Sequence, residues 1–275
     1  MSLVFTILGC GSSGGVPRVG SGWGACDPND PRNYRRRCSL LVERVGERGT
    51  TSVLVDASPD LRAQLLDAGA TRLDAVLLTH EHADHTHGID DLRPLVIHMR
   101  RRMPVYMDAR TSTEVRPRFD YCFATPPGSE YPPILDEHRI EVGVPVAIDG
   151  PGGLLTGLPF RMEHGKSEAL GFRFGDLAYA SDVSDMPDES LAKLSGLDIL
   201  IVDALRYAPH PTHFSLSQAL ALIEQLQPRR AVLTNMHTDL DYAALAAKLP
   251  PNVEPAFDGM RIDLPAYRDE LPLTR

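Results

Sequence analysis

Residues 77–92 read LLTHEHADHTHGIDDL, with four histidines inside eight positions. The apolar run LDAVLLT leads into them and predicts a buried strand. His80 and His82 alternate where this strand ends, so both can project to one side. Asp84 and His85 follow one turn later. This HxHxDH pattern places four metal-capable donors in six residues at the carboxyl end of a strand, where α/β sheets form ligand crevices.

Three more metal-capable side chains follow predicted strands. His164 comes after PFRME, Asp182 after LAYAS, and His237 after AVLTNM. Each alone is weak evidence, but the repetition after HxHxDH predicts a divalent metal centre. Glu81 alternates away from the first two histidines and is predicted to be structural. His87 lies outside the pattern and is predicted to take no direct part.

In this order, Asp56 in VLVDAS, the THEHADH of 79–85, His164, Asp182 and His237 resemble the metallo-β-lactamase fold superfamily. The resemblance implies an α/β fold, a four-layer αβ/βα sandwich, which we expect to form one domain over residues 1–275. It also implies two divalent ions, either zinc or manganese, with iron as a third option. By this resemblance, His80, His82 and His164 hold the first ion, Asp84, His85 and His237 hold the second, Asp182 bridges them, and Asp56 orients a ligand.

One position departs from the superfamily pattern. In many relatives the last histidine directly follows LT, where this chain has Asn235. His237 stands two places later, on the same strand face if the strand continues. We therefore assign the last ligand to His237.

The segments LGCGSSGGVP, VDALRYAPHPTHFSLSQAL and FDGMRIDL are similar to the phosphodiesterase branch that opens a phosphoribosyl cyclic phosphate. This similarity implies attack by hydroxide generated on the metals, with Asp84 and His213 as catalytic residues and His213 as the general acid. The expected substrate is a small phosphodiester, cyclic ones included. Such relatives also carry a structural zinc on clustered cysteines. Here Cys26 and Cys38 are twelve residues apart, which predicts no structural zinc.

Composition narrows the alternatives. The formal net charge of −9 argues against a nucleic-acid partner, since such proteins usually carry a basic footprint. An RNA-processing endonuclease nevertheless stays open, as do a carboxylic or thioester hydrolase and a non-catalytic metal-binding accessory protein. A homodimer is also open.

No apolar run approaches the ~18–20 residues of a membrane span. The start MSLVFTILGC predicts a strand, and with four irregularly spaced cysteines it favours the cytoplasm.

The remaining patterns predict ordinary elements. SPDLRAQLLDAG predicts a helix with Ser58 as its N-cap, and SLSQALALIEQLQP predicts an amphipathic helix capped near Ser215. Residues 119–136 predict an irregular insertion. This insertion and the arginines at 35–37 are hypothesised from position alone to shape the substrate pocket. His98, His138 and His210 are predicted to be structural or exposed.

Overall fold

The computed structural model describes residues 2–265, which form two seven-stranded sheets. The first sheet contains β1 (Ser2–Gly9), β2 (Ser39–Gly46), β3 (Gly49–Val55), β4 (Ala75–Leu77), β5 (Met103–Met107), β6 (Leu135–Arg139) and β14 (Arg261–Pro265). The second contains β7 (Val146–Ile148), β8 (Leu155–His164), β9 (Ser167–Phe174), β10 (Leu177–Ala180), β11 (Ile199–Asp203), β12 (Arg230–Thr234) and β13 (Val253–Pro255).

Helices lie on the connections between these strands. They are α1 (Leu61–Asp67), α2 (Ala83–Thr86), α3 (Arg93–Met99), α4 (Ala109–Arg118), α5 (Asp120–Phe123), α6 (Asp188–Lys193), α7 (Leu216–Leu226) and α8 (Tyr242–Ala246), with 3-10 turns at Pro31–Asn33 and Ile89–Leu92. Within residues 2–265, no helix has the length and apolar character that crossing a bilayer requires.

The two sheets bury their apolar faces against each other. Phe5 of β1 packs on Phe174 of β9, with ring centroids 6.1 Å apart, inside a large core that draws on both sheets. A second apolar layer lies between the first sheet and its helices, and Leu61 and Leu65 of α1 belong to it. On the second sheet, the inner face of α7 buries Leu222. The four-layer αβ/βα sandwich predicted from the sequence is confirmed.

Strand direction brings the site together. β3 and β4 are parallel, and so are β10, β11 and β12. β8 and β10 each pair antiparallel with β9, so they share one direction. The carboxyl ends of all these strands therefore lie on common edges, where the residues that follow them can converge.

Two element predictions needed correction. α1 begins at Leu61 with Asp60 as its N-cap, because the Ser58 hydroxyl is used earlier, accepting from the Asp60 amide at 3.1 Å. The insertion at 119–136 is not wholly irregular, since it contains α5 and the start of β6. The capping box of α7, formed by Ser215 and Gln218, agrees with the prediction.

The arginines at 35–37 are engaged by other segments of the chain. Arg35 is 1% exposed and donates to the backbone oxygens of His237 and Leu240, at 3.3 and 2.7 Å. Arg36 pairs with Asp67 and Arg37 with Asp60. The hypothesis that this run shapes the pocket is wrong, because its side chains join the N-terminal loop to neighbouring segments.

Candidate metal centre

Three histidines and one carboxylate oxygen surround the first position. The Nε2 atom of His80 and the Nδ1 atom of His82 are 3.0 Å apart, and the Nε2 atom of His164 lies 3.3 Å from the same Nδ1. The Nε2 atoms of His80 and His164 lie 3.8 and 3.9 Å from Oδ2 of Asp182. Unlike neutral imidazoles scattered in a core, these rings aim their nitrogens at a common point.

The other oxygen of Asp182 faces a second position. Its Oδ1 lies 3.2 Å from Nε2 of His85, and that nitrogen lies 3.5 Å from Oδ2 of Asp84. The carboxylate of Asp182 therefore stands between two donor groups, with one oxygen toward each. This is the arrangement that a bridging ligand needs.

The outward nitrogen of each buried histidine is held by a neighbour. The Nδ1 atom of His80 lies 2.9 Å from the Thr79 hydroxyl, and Nδ1 of His164 donates to the Thr212 carbonyl at 2.7 Å. Nδ1 of His85 lies 2.7 Å from Asp56 Oδ2. Such contacts fix the tautomer and leave the Nε2 lone pair free for a ligand.

The Nε2 atom of His85 indicates whether a metal ion fits this site. Nε2 of His85 is buried and has no hydrogen-bond partner, although buried polar atoms are nearly always satisfied. It faces Asp84 and Asp182, two carboxylates that could share a cation with it. The donors therefore fit a divalent ion at both positions, and two ions could share Asp182.

The pKa values of the clustered histidines also favour a bound cation. Burial lowers the pKa of His80 and of His164, so their rings favour the neutral form that binds metal. Burial also acts to lower the pKa of His85, but the carboxylates of Asp182, Asp56 and Asp84 raise it further than burial lowers it. The cluster thus carries excess negative charge beside His85, which a cation would balance.

The structure does not bring His237 to this cluster. Its Nε2 contacts the guanidinium of Arg18, and its Nδ1 lies 3.3 Å from Asp239 and 3.2 Å from Thr238 Oγ1. The strand does not continue as assumed, because Asn235 adopts a left-handed φ of 59° directly after β12. The geometry thus gives no support to His237 as the last ligand.

Asn235 lies where the last ligand was expected. Its Nδ2 is 3.4 Å from Asp182 Oδ1 and 3.1 Å from His213 Nδ1. It is 2% exposed. The left-handed conformation suits asparagine better than most residues.

His213 lies beside the metal-ligand cluster. Its Nδ1 is 2.8 Å from Asp203 Oδ2 and 3.8 Å from Asp182 Oδ2, and its ring packs edge-on against His164. Burial lowers the pKa of His213, but the hydrogen bond and charge of Asp203 raise it above its usual value. Asp203 ends the buried strand ILIVD, much as Asp56 follows VLV, a signal that strand-end reasoning could have used.

A cavity of about 550 Å³ opens over the cluster. Its wall includes Arg18, Lys166 and Arg206. In the described part of the chain, no carboxylate forms an ion pair with any of the three, since Arg18 contacts His237 and Arg206 contacts two carbonyl oxygens. The sequence gives no signal for these cations, because they are scattered along it and follow no motif. His210, predicted to be structural or exposed, also lines this cavity.

Three other residues that were predicted to take no direct part contact side chains outside the cluster. Glu81 is buried and pairs with Arg110 at 2.9 Å, and His87 packs against Phe119. His138 stacks on Tyr106, with centroids 4.6 Å apart.

The fold and this donor set match a known family. The model of the beta-lactamase superfamily domain matches residues 51–236, a span that holds every residue of the cluster. The chain belongs to the beta-lactamase superfamily. This match confirms the resemblance drawn from the sequence. As a member of this superfamily, the chain is expected to be a metal-dependent hydrolase.

Relatives extend across nearly the whole chain. The crystal structure of a new diphosphatase from the PhnP family is 34% identical, with a TM-score of 0.86, and the match covers 96% of this chain and 98% of that one. The octanoyltransferase of Porphyromonas gingivalis is 36% identical over 92% of this chain, which spans 50% of that protein's length. Ribonuclease Z of Bradyrhizobium diazoefficiens is 27% identical, over 86% of this chain and 96% of its own.

Proposed function

We propose that this chain hydrolyses a phosphodiester-type bond in a small anionic substrate, using two divalent ions and His213 as the general acid. The observation that carries this is the placement of Arg18, Lys166 and Arg206 around the cavity that holds the ligand cluster. These cations stand out in a chain of net charge −9. Cations gathered around a concave site raise the local concentration of an anionic substrate.

The ions would be held by the donors on the two sides of Asp182, and when bound they would lower the pKa of water and offset charge on phosphate oxygens. His80, His82 and His164 would hold one of them. Asp84 and His85 would contribute to the other. Asp56 and the Thr212 carbonyl keep the ligand rings oriented, so the donors are in place before substrate arrives.

His213 is placed to move a proton. Asp203 accepts from Nδ1–H, which leaves Nε2 as the atom that can exchange a proton at the cavity. A leaving alkoxide needs a proton as its bond to phosphorus breaks, and Nε2–H of His213 can donate it. Asp203 holds the ring in that tautomer and is a positioning residue.

Cavity size and charge favour a small molecule over RNA. About 550 Å³ suits a metabolite-sized ligand. The relatives named as a diphosphatase and a ribonuclease both support cleavage of phosphate bonds. The three cations form a local cluster rather than the extended basic stripe that would follow an RNA backbone.

The test begins with metal-stripped protein titrated with Mn²⁺ or Zn²⁺. Hydrolysis of bis-nitrophenyl phosphate is measured, with nitrophenyl phosphate, a nitrophenyl thioester and a structured RNA in parallel. Activity on the diester that saturates at two ions per chain supports the proposal. Turnover of the thioester alone, or of the RNA alone, with two ions bound would overturn it in favour of the corresponding alternative.

A substitution tests the role of His213. His213→Ala should lower turnover of an alkyl phosphodiester about 10²–10⁴-fold. Its effect on bis-nitrophenyl phosphate should be far smaller, because nitrophenolate leaves without a proton. Equal losses on both substrates, with metal content unchanged, would remove His213 from the role of general acid.

A further inference from the structure

The two sides of Asp182 differ in chemistry. Around Oδ2 stand the Nε2 atoms of His80 and His164, and His82 groups with these two rings. Nδ1 of His213 also lies 3.8 Å from Oδ2, but it donates to Asp203 and has no lone pair for an ion. Around Oδ1 stand one imidazole nitrogen, from His85, and one carboxylate oxygen, from Asp84. The first position is rich in nitrogen, whereas the second is short of a fourth donor.

Asn235 is the polar side chain that faces this gap. Its amide lies 3.4 Å from Asp182 Oδ1, the same oxygen that lies 3.2 Å from His85 Nε2. The amide group is buried and follows β12 at the edge where the other donors converge. It thus lies beside the oxygen of Asp182 that faces the second position.

The hydrogen bonds around Asn235 show which amide atom belongs there. The Nδ2 atom of Asn235 lies 3.1 Å from His213 Nδ1. That ring nitrogen already shares a proton with Asp203 at 2.8 Å, so it has no lone pair left to accept from an amide N–H. Half a turn about the last side-chain bond exchanges the amide oxygen and nitrogen, so the surrounding hydrogen bonds decide which atom faces Asp182. With a cation on Asp182 Oδ1, the oxygen of Asn235 is the favourable atom on that side.

We infer that the two metal positions are chemically different, because Asn235 gives a carbonyl oxygen to the position beside His85. That position then has three oxygens and one nitrogen, against three nitrogens and one oxygen at the other. Oxygen donors suit harder cations such as Mn²⁺, and imidazoles suit Zn²⁺. The position beside His85 therefore has the lower selectivity for zinc over manganese. This inference rests on the metal centre and holds whatever bond the protein cleaves.

The experiment measures metal binding and needs no substrate. Metal-stripped protein is loaded with one equivalent of Zn²⁺, and the second equivalent is titrated by calorimetry with Zn²⁺ or Mn²⁺. Asn235→His, which swaps the oxygen for an imidazole, should raise the zinc-over-manganese selectivity of the second equivalent at least about tenfold. Asn235→Ala should weaken the second equivalent of either ion about 10–100-fold, and Asn235→Asp should restore Mn²⁺ binding.

His237→Ala is the matched control, since it removes a nearby imidazole that contacts Arg18 instead. It should leave both equivalents unchanged. The electron paramagnetic resonance spectrum of the zinc-and-manganese protein should show an isolated Mn²⁺ that Asn235→Ala loses. Unchanged affinity in Asn235→Ala, or a loss of the second ion in His237→Ala, would overturn the inference. Because metal content is the readout, a wrong reaction assignment leaves this result intact.

Discussion

The imidazole of His237 accepts a hydrogen bond from the guanidinium of Arg18 at the wall of the metal-centre cavity. A guanidinium has donors only, so the ring nitrogen facing it must be the acceptor. The contact ties the loop after β1 to the segment after β12. Among the described residues, His237 is not in any of the grouped donors, and this contact with Arg18 is where its ring lies.

Removing His237 should therefore affect substrate binding and not metal binding. His237→Ala frees the Arg18 side chain, and we expect KM for an anionic diester to rise about tenfold, the effect of losing one charge-assisted hydrogen bond. Steady-state kinetics beside metal analysis check this. His138→Ala, which removes a histidine stacked on Tyr106, should change neither quantity. Loss of an ion from His237→Ala would show that the ring is a ligand after all.

Asp56 should control metal affinity without touching the ions. In Asp56→Asn, an amide N–H would face Nδ1 of His85, which now donates to the carboxylate at 2.7 Å. The His85 ring would then favour the tautomer with its proton on Nε2. That proton would remove the Nε2 lone pair that a metal ion needs. We expect metal affinity to fall about 10–100-fold in a chelator competition. Glu81→Gln, in the same segment but paired with Arg110, is the control, and equal losses in both would refute this explanation.

Arg35 should matter for stability. Arg35→Met leaves the Leu240 and His237 carbonyls without their buried donor, at a cost of about 2–4 kcal/mol in the free energy of unfolding. Arg36→Gln, which breaks a pair with the exposed Asp67, should cost no more than about 1 kcal/mol. Urea denaturation of both variants tests the contrast. Similar losses would mean that burial of Arg35 does not set its contribution.

Asp258 should make stability depend on pH. Burial raises its pKa to about 7, from an ordinary value of 3.8, so the folded chain binds this proton more tightly than the unfolded chain does. Its contribution is complete below the unfolded pKa and is lost as pH rises through about 7. The unfolding free energy of the wild type minus that of Asp258→Asn should decrease as pH rises from 3.8 to about 7. Above that pH it should be constant. A difference independent of pH would contradict the shift.

Much of the fold followed from local patterns. Buried runs such as LDAVLLT and LDILIVDAL carry their strand signal in consecutive apolar residues, as parallel strands between covered faces do. The HxHxDH segment was likewise readable, because its donors are neighbours in sequence. Short helices such as α3 and α6 were missed, since one or two turns give too few residues for a 3.6-residue period to show.

The rest of the site depends on tertiary contacts that no local pattern records. The expectation for His237 assumed a straight strand, and the left-handed turn at Asn235 removed that premise. Arg18 and Arg206 reach the cavity from distant loops, so only the folded chain shows them as one group. The pattern that marks Asp182 also marks Asp203, because both lie at the carboxyl end of a buried strand.

The candidate centre spans both sheets. His80 and His85 follow a strand of the first sheet, whereas His164 and Asp182 belong to the second. One backbone bond that joins the sheets at this edge runs from the Leu170 amide to the Thr79 carbonyl, at 2.9 Å. Bound ions would hold the two sheets together. They would raise the free energy of unfolding by about 2.7 kcal/mol when the free metal concentration is 100 times its Kd. Metal supply is therefore expected to lengthen the lifetime of the chain against proteolysis.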